Sequence, residues 1–190
     1  TLNLNKKFKS RVFDMPTSEN AMTGIALGLA MSGTRPVITH QRVEFALLSM
    51  EQIINQISKW HFMSGGIYKS PLVIRMIIGR GWGQGPQHSQ SLESLFAHIP
   101  GLKVIAPSNA KNAKGLLIAS IKDNNPVIFF EHRWLHHTYG HVPIGSYEES
   151  LDKSKKIKNG EDITLISFSV GTIECIKTAK ILEKFKISVE

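Results

Sequence analysis

The chain has 190 residues, 42% of them hydrophobic and 20% charged, with a formal net charge of +8. Such a composition can pack one domain, or one domain and part of another, and it excludes a disordered tail. The basic excess is scattered, and its one dense run, KSKKIKNG at 153–160, reads as a solvated linker rather than a nucleic-acid patch.

No apolar run is long enough to cross a bilayer as a helix, so neither a membrane nor nucleic acid is an expected partner. The single cysteine, Cys175, rules out an intrachain disulfide and suits a reducing compartment, with the cytoplasm as the expectation. The first residue is Thr1, and the last six, FKISVE, read as a strand that has just begun. The expectation is a piece of a longer protein.

In chain order, Ser18 is placed to cap a helix over 19–31 that stops at Gly33. Residues 35–40 (RPVITH) read as a strand. A second helix is expected over 44–63, with Phe45, Leu48, Ile53, Ile57 and Trp60 near one face, ended by the glycines of SGG. Strands follow at 71–78 (PLVIRMII) and 102–107 (LKVIAP), a third helix at 109–123, and strands at 126–131 (PVIFFE) and 162–169 (DITLISFS). The strands barely alternate polar with apolar residues, as strands covered on both faces do not. Alternation with helices predicts an α/β fold: a parallel sheet flanked by helices on both faces. A polar, Lys-rich stretch divides the chain into 1–147, a linker at 148–160, and the βαβ opening of a second α/β domain at 161–190.

Asn20, Gly24, Gly28 and Ser32 make a small-residue stripe four apart on the first long helix. Glycine there costs about 1 kcal/mol relative to alanine, so either a close approach by a ligand or backbone, or tight packing on the sheet, is expected.

The most unusual segment is GRGWGQGPQHSQS, 79–91, with glycines at 79, 81, 83 and 85. It lacks the Gly-Lys-Ser/Thr ending of a phosphate loop and the G-x-G-x-x-G spacing of a dinucleotide loop. Alternating glycine instead allows unusual backbone angles and close approach, and it leads to His88. HRWLHHTYGH, 132–141, spaces His132 from His136 and His137 from His141 by four, yet no Asp or Cys joins them, so metal binding is the minor reading. Glu19, at a helix N-terminus, reads on its own as a residue that favours the helix dipole.

Read as longer runs, RVFDMPTSENAMTGIALGLAMSGTRPV, MEQIINQISKWHFMSGG, QHSQSLESLFAHIPGLKVIAPSNAKNAKGLL and IKDNNPVIFFEH resemble the β subunit of the thiamine-diphosphate-dependent first component of 2-oxo acid dehydrogenase complexes. The resemblance is dense over 11–145 and implies a transketolase-type pyrimidine-binding domain, with 155–190 like the start of that subunit's C-terminal domain. It implies that Glu19 hydrogen-bonds the aminopyrimidine ring nitrogen of thiamine diphosphate. A carboxylate there favours the imino tautomer that activates the thiazolium carbon. It implies Phe45 packed on the pyrimidine, His88 beside the substrate and an incoming lipoyl group, and Leu72, Ser120, Asp123 and Asn125 around a structural potassium ion. No Gly-Asp pair occurs in the sequence. The resemblance therefore implies that magnesium and the diphosphate belong to an α subunit, with a second β subunit, a lipoyl acyltransferase and a small 2-oxo acid as further partners.

Where pyruvate-specific members carry an FMTF-type stretch, this chain has HQRVEF. Gln41, taken with the cofactor-binding residues, is similar to branched-chain or acetoin-type members. MIIGRGWGQGP also departs from the family's usual run, and Met76, Ile77 and Trp82 are expected at the site's mouth or a partner interface. Two other readings stay open: a transketolase-like or deoxyxylulose-phosphate-synthase-like enzyme of a biosynthetic pathway, and an interaction module that keeps only the fold.

Overall fold

The computed structural model describes residues 3–190. The elements are helices α1 (Leu4–Lys7) and α2 (Glu19–Met31), strand β1 (Val37–His40), helix α3 (Val43–Ala46), a short tight turn (Leu47–Ser49), a widened turn (Gln52–Ile57) and α4 (Trp60–Met63). Strand β2 (Val73–Ile78), α5 (Glu93–Ala97), β3 (Lys103–Ile105), α6 (Ala110–Lys122), β4 (Val127–His132) and α7 (Val170–Glu183) follow.

The four strands form one parallel sheet in the order β1-β2-β4-β3. The register places Val73 opposite Val127 and Ile78 opposite His132 on the central pair. Period-two alternation divides the side chains between two apolar layers. Ile74, Met76, Ile78, Ile128 and Phe130 face Leu27 and Ala30 of α2, Val43 and Ala46 of α3, Ile53 and Ile57, and Phe96 of α5. Val73, Val127, Phe129 and Ile105 face Leu116, Leu117 and Ile121 of α6. Helices cover both faces, as the strand pattern predicts.

α2 spans the expected 19–31, and Gly33 ends it with a φ of +92° while its N–H donates to the Ala30 carbonyl. Ser18 takes the cap position, but its side chain makes no capping hydrogen bond; its carbonyl accepts the Met22 N–H. α6 is capped by Asn109 Oδ1, which accepts from the Asn112 N–H at 2.9 Å.

Two expectations change. The helix predicted over 44–63 is a run of short helical pieces. At its centre the Ser58 N–H reaches back five residues to the Ile53 carbonyl, and the Ser58 hydroxyl takes the Ile54 carbonyl at 2.7 Å. Ile53 and Ile57, inside the wider turn, are buried as expected, whereas Leu48, in the tight turn before it, is exposed. The strand predicted at 162–169 is reduced to one parallel bridge, Ile163 to Val189, because that pair has no sheet neighbour on either side. Of the glycine stripe, Gly24 abuts the Gln52 side chain and Gly28 faces open space.

Phe130 is fully buried and meets Phe96 edge-on at 5.5 Å between centroids. Phe130→Ala should lower the free energy of unfolding by about 3–5 kcal/mol, measured by urea denaturation; a loss below about 1 kcal/mol would mean that this site collapses around the cavity.

Candidate functional site

In a parallel sheet the backbone of every strand ends at the same edge, and ligand sites form in the crevice beyond those carboxyl ends. Of the four chain segments that leave the sheet there, three shape the site: residues 41–45 after β1, the glycine loop after β2, and the turn Arg133–His137 after β4. Glu19, at the start of α2, is linked to this edge through its backbone carbonyl. The Thr23 hydroxyl donates to the Glu19 carbonyl at 2.7 Å and lies 3.1 Å from His40 Nε2. With its proton committed to that carbonyl, the Thr23 oxygen accepts from an Nε2–H of His40. His40 Nδ1 then faces the interior without a partner among the described residues. Burial holds the His40 pKa below its ordinary value, while the nearby Glu19 carboxylate pulls the other way. The Glu19 carboxyl itself is half-buried and accepts no hydrogen bond among the described residues.

Phe45 and His88 come from elements 43 positions apart in the sequence and meet edge-to-face, with ring centroids 5.6 Å apart at 71°. Phe45 is half-buried, not a core residue. Gln41 follows β1 directly and is exposed at the same edge.

The glycine loop gains its shape from two aromatic supports. Gly79 has a φ of +126°, and a Cβ there would stand 2.9 Å from the His132 ring. Gly81, at +74°, would put one 3.1 Å from the Trp134 ring. His132 and Trp134 pack edge-to-face at 5.6 Å and form the floor under the loop. Only glycine satisfies both the backbone angle and the clearance. Beyond them the loop is tied to its neighbours. The Gly79 N–H donates to the Gln90 carbonyl, the Gln90 N–H to Glu44 Oε1 at 2.7 Å, and Trp82 Nε1 to the His88 carbonyl at 3.0 Å. Arg42 donates to the same carbonyl at 3.2 Å and lies over the Trp82 ring at 5.4 Å.

One expectation is corrected. Met76 does not line the mouth: it is 1% exposed within the apolar core, as its place in a central strand demands. Ile77 is half-buried on the opposite face of the sheet, and Trp82 lies at the strand-end site, its indole N–H on the His88 carbonyl. The histidines at 132–141 do not gather: His132 is buried beneath Gly79, His136 lies 3.5 Å from Glu131, and His137 and His141 are exposed.

The four potassium-type positions are a poor fit for a cation. The Leu72 carbonyl accepts the Val127 N–H, and the Ser120 hydroxyl donates to the Leu116 carbonyl. The Asp123 carboxylate pairs with Lys103 at 2.7 Å and accepts from Asn125. The Arg35 guanidinium donates to the carbonyls of Asp123 and Ile121 and to Asn124 Oδ1. A fixed positive charge therefore already sits on the carbonyl that the ion would need, and a second cation would be repelled by it.

Thr23, His40, Arg42 and Glu44 were not singled out by sequence reasoning. The available signal was three polar residues, His40 to Arg42, directly after a strand whose carboxyl end opens on the site.

The fold and the placement of these groups define a parallel α/β domain with its site at the strand ends. The family model for the transketolase pyrimidine-binding domain matches residues 1–137, and the chain belongs to that family. It is 39% identical over 190 residues to the acetoin:2,6-dichlorophenolindophenol oxidoreductase subunit beta of Cupriavidus necator, covering 100% of this chain and 56% of that protein. It is 44% identical over 170 residues to the pyruvate dehydrogenase E1 component subunit beta of Porphyra purpurea, covering 89% and 51%. Among solved structures, a split-gene transketolase described as an inactive β4 tetramer superposes with a TM-score of 0.77 at 24% identity, over 97% of this chain and 56% of that one. That likeness supports the fold. The chain spans about half the length of the curated relatives it matches.

Burial lowers the pKa of His40, His132 and His136 alike. The unfolded chain then binds more protons than the folded one below the ordinary imidazole value near 6.5, so stability present above that pH is lost as the pH falls through the window. Urea titrations between pH 7 and 5 should show stability falling with pH, by up to about 1.4 kcal/mol per pH unit for the buried His40. His40→Asn should flatten the curve, and an unchanged slope would remove His40 from this account.

Proposed function

We propose that the chain is part of the β subunit of a thiamine-diphosphate-dependent 2-oxo acid dehydrogenase, and that its strand-end crevice holds the aminopyrimidine end of the cofactor. The observation that carries this reading is the contact between Phe45 and His88 at the sheet edge to which Glu19 is joined through Thr23 and His40. Identity near 40% to β subunits of acetoin and pyruvate dehydrogenases supports it.

The residues present fit the group. Glu19 offers a carboxylate with free lone pairs, Phe45 an aromatic face, and Gln41 a polar side chain at the rim. Thiamine diphosphate, when bound, supplies the carbon nucleophile and electron sink for decarboxylation. Glu19 would hold a proton at the pyrimidine nitrogen, and the apolar ring of Phe45 would orient the pyrimidine and exclude water. His40, kept neutral by burial, places no positive charge behind Glu19. The His88 imidazole, which makes no hydrogen bond among the described residues, is free to exchange a proton with substrate or an acyl acceptor.

An α subunit would supply the magnesium and diphosphate site. A second β subunit, a lipoyl acyltransferase and a 2-oxo acid are the further partners of this reading, and residues 161–190 would begin a second domain. No helix among the described residues is long and apolar enough to cross a membrane.

With the full-length chain and its α partner, Glu19→Gln should reduce 2-oxo acid decarboxylation by about 10²-fold or more. Calorimetry should show weakened thiamine diphosphate binding. Wild-type turnover in that variant would reject the role of Glu19. His88→Ala should impair acyl transfer to a lipoyl domain about tenfold more than decarboxylation read with an artificial electron acceptor. Equal, small effects on both rates would remove His88 from the transfer step.

A further inference from the structure

We propose that Arg42 and Trp82 form a clamp that sets the position of His88 through its backbone carbonyl, making both of them positioning residues for the reaction. The catalytic side of this inference rests on the role of His88 given above; the clamp itself rests on geometry alone.

The His88 ring has no hydrogen-bond partner of its own among the described residues, and it packs edge-to-face with the Phe45 ring. Its place is therefore decided by where the backbone at residue 88 is held. That backbone lies in a loop rich in glycine, which does not limit its own conformation. The His88 carbonyl receives two donors, the Trp82 indole N–H at 3.0 Å and an Arg42 N–H at 3.2 Å. A carbonyl oxygen has two lone pairs, so its capacity is filled. The donors also fix each other, since the guanidinium lies over the indole at 5.4 Å. Arg42 precedes the first residue of α3, and Phe45 lies within that helix. One rigid turn thus carries both the donor to the His88 carbonyl and the ring against which the imidazole rests. Glu44, between them, holds the Gln90 N–H two residues further along. Residues 42 and 45 touch the loop at His88, and residue 44 touches it at Gln90.

The residue types follow from this task. An indole donates an N–H that phenylalanine lacks, and a guanidinium can stack flat while donating in its plane, which an ammonium cannot. Trp82 is half-buried, in keeping with an inward-turned side chain in an otherwise exposed loop.

The test uses the full-length chain with its α partner and three variants: Trp82→Phe, Arg42→Lys and the double substitution. Each single change keeps a bulky side chain and deletes one donor geometry. Each should lower kcat for acyl transfer about tenfold, with KM for the 2-oxo acid changed less than about twofold, because the substrate is not touched. The double variant should be no worse than the more severe single one, since both act on one carbonyl. In spectra of the chain with isotope-labelled histidine, the nuclear Overhauser contact between the His88 and Phe45 rings should weaken in each variant while the melting temperature holds. Two results would overturn the clamp: ring contacts of wild-type strength in both single variants, or losses of kcat that multiply in the double variant. The ring-contact measurement needs no turnover. If the wild-type complex decarboxylates no 2-oxo acid, the functional reading fails, and the clamp is still decided by the spectra.

Discussion

The pairing of β2 with β4 governs the rest of the molecule. These two strands run parallel at the sheet centre over six residue pairs and are apolar on both faces, with Ile74, Met76, Ile128 and Phe130 on one side and Val73, Val127 and Phe129 on the other. Burial on both sides leaves little room for polar chemistry within the sheet. The internal polar exception, Arg75, is matched to Glu131 across the same pair at 2.6 Å. Reactive groups are therefore confined to the strand ends, where the backbone turns away and side chains such as His40, His88 and His132 gather beside α2, α3 and the glycine loop.

This confinement explains the chemistry of the glycine loop. A segment leaving the end of β2 must pass over the end of β4, its neighbour, and the ring of His132 stands in the way. Glycine at 79 and 81 clears that ring and Trp134. The freedom that clearance brings is then removed by Trp82, Arg42 and Glu44, which anchor the loop again from above. Close approach and firm placement are supplied by different residues. The loop needs both, because an imidazole serves proton transfer only when its distance to the reacting group is fixed.

Charge is arranged on the same logic. The His40 that supports Glu19 is neutral through burial, leaving the carboxylate unpaired, while cations elsewhere are committed to structural tasks. Arg35 closes the carbonyls at the end of α6, and Lys103 takes the Asp123 carboxylate. The overall charge of +8 thus carries no message about the site.

The sequence by itself determined the four sheet strands, the span of α2 and the position of α6, because each depends on local pattern: runs of Val and Ile, caps and stops. It expected one regular helix over 44–63, where the chain changes its winding from tight to wide, and it placed Met76 at the mouth although a central strand buries it. What only the tertiary structure decided is which loops meet. The strand order β1-β2-β4-β3 lays residues 41–45 beside residues 88–90 and sets Arg35 against residues 121–124. Those contacts join residues tens of positions apart, and no local periodicity records them. The physical reason is that a crossover returns the chain to the same edge of the sheet without leaving a trace in the spacing of the residues it brings together.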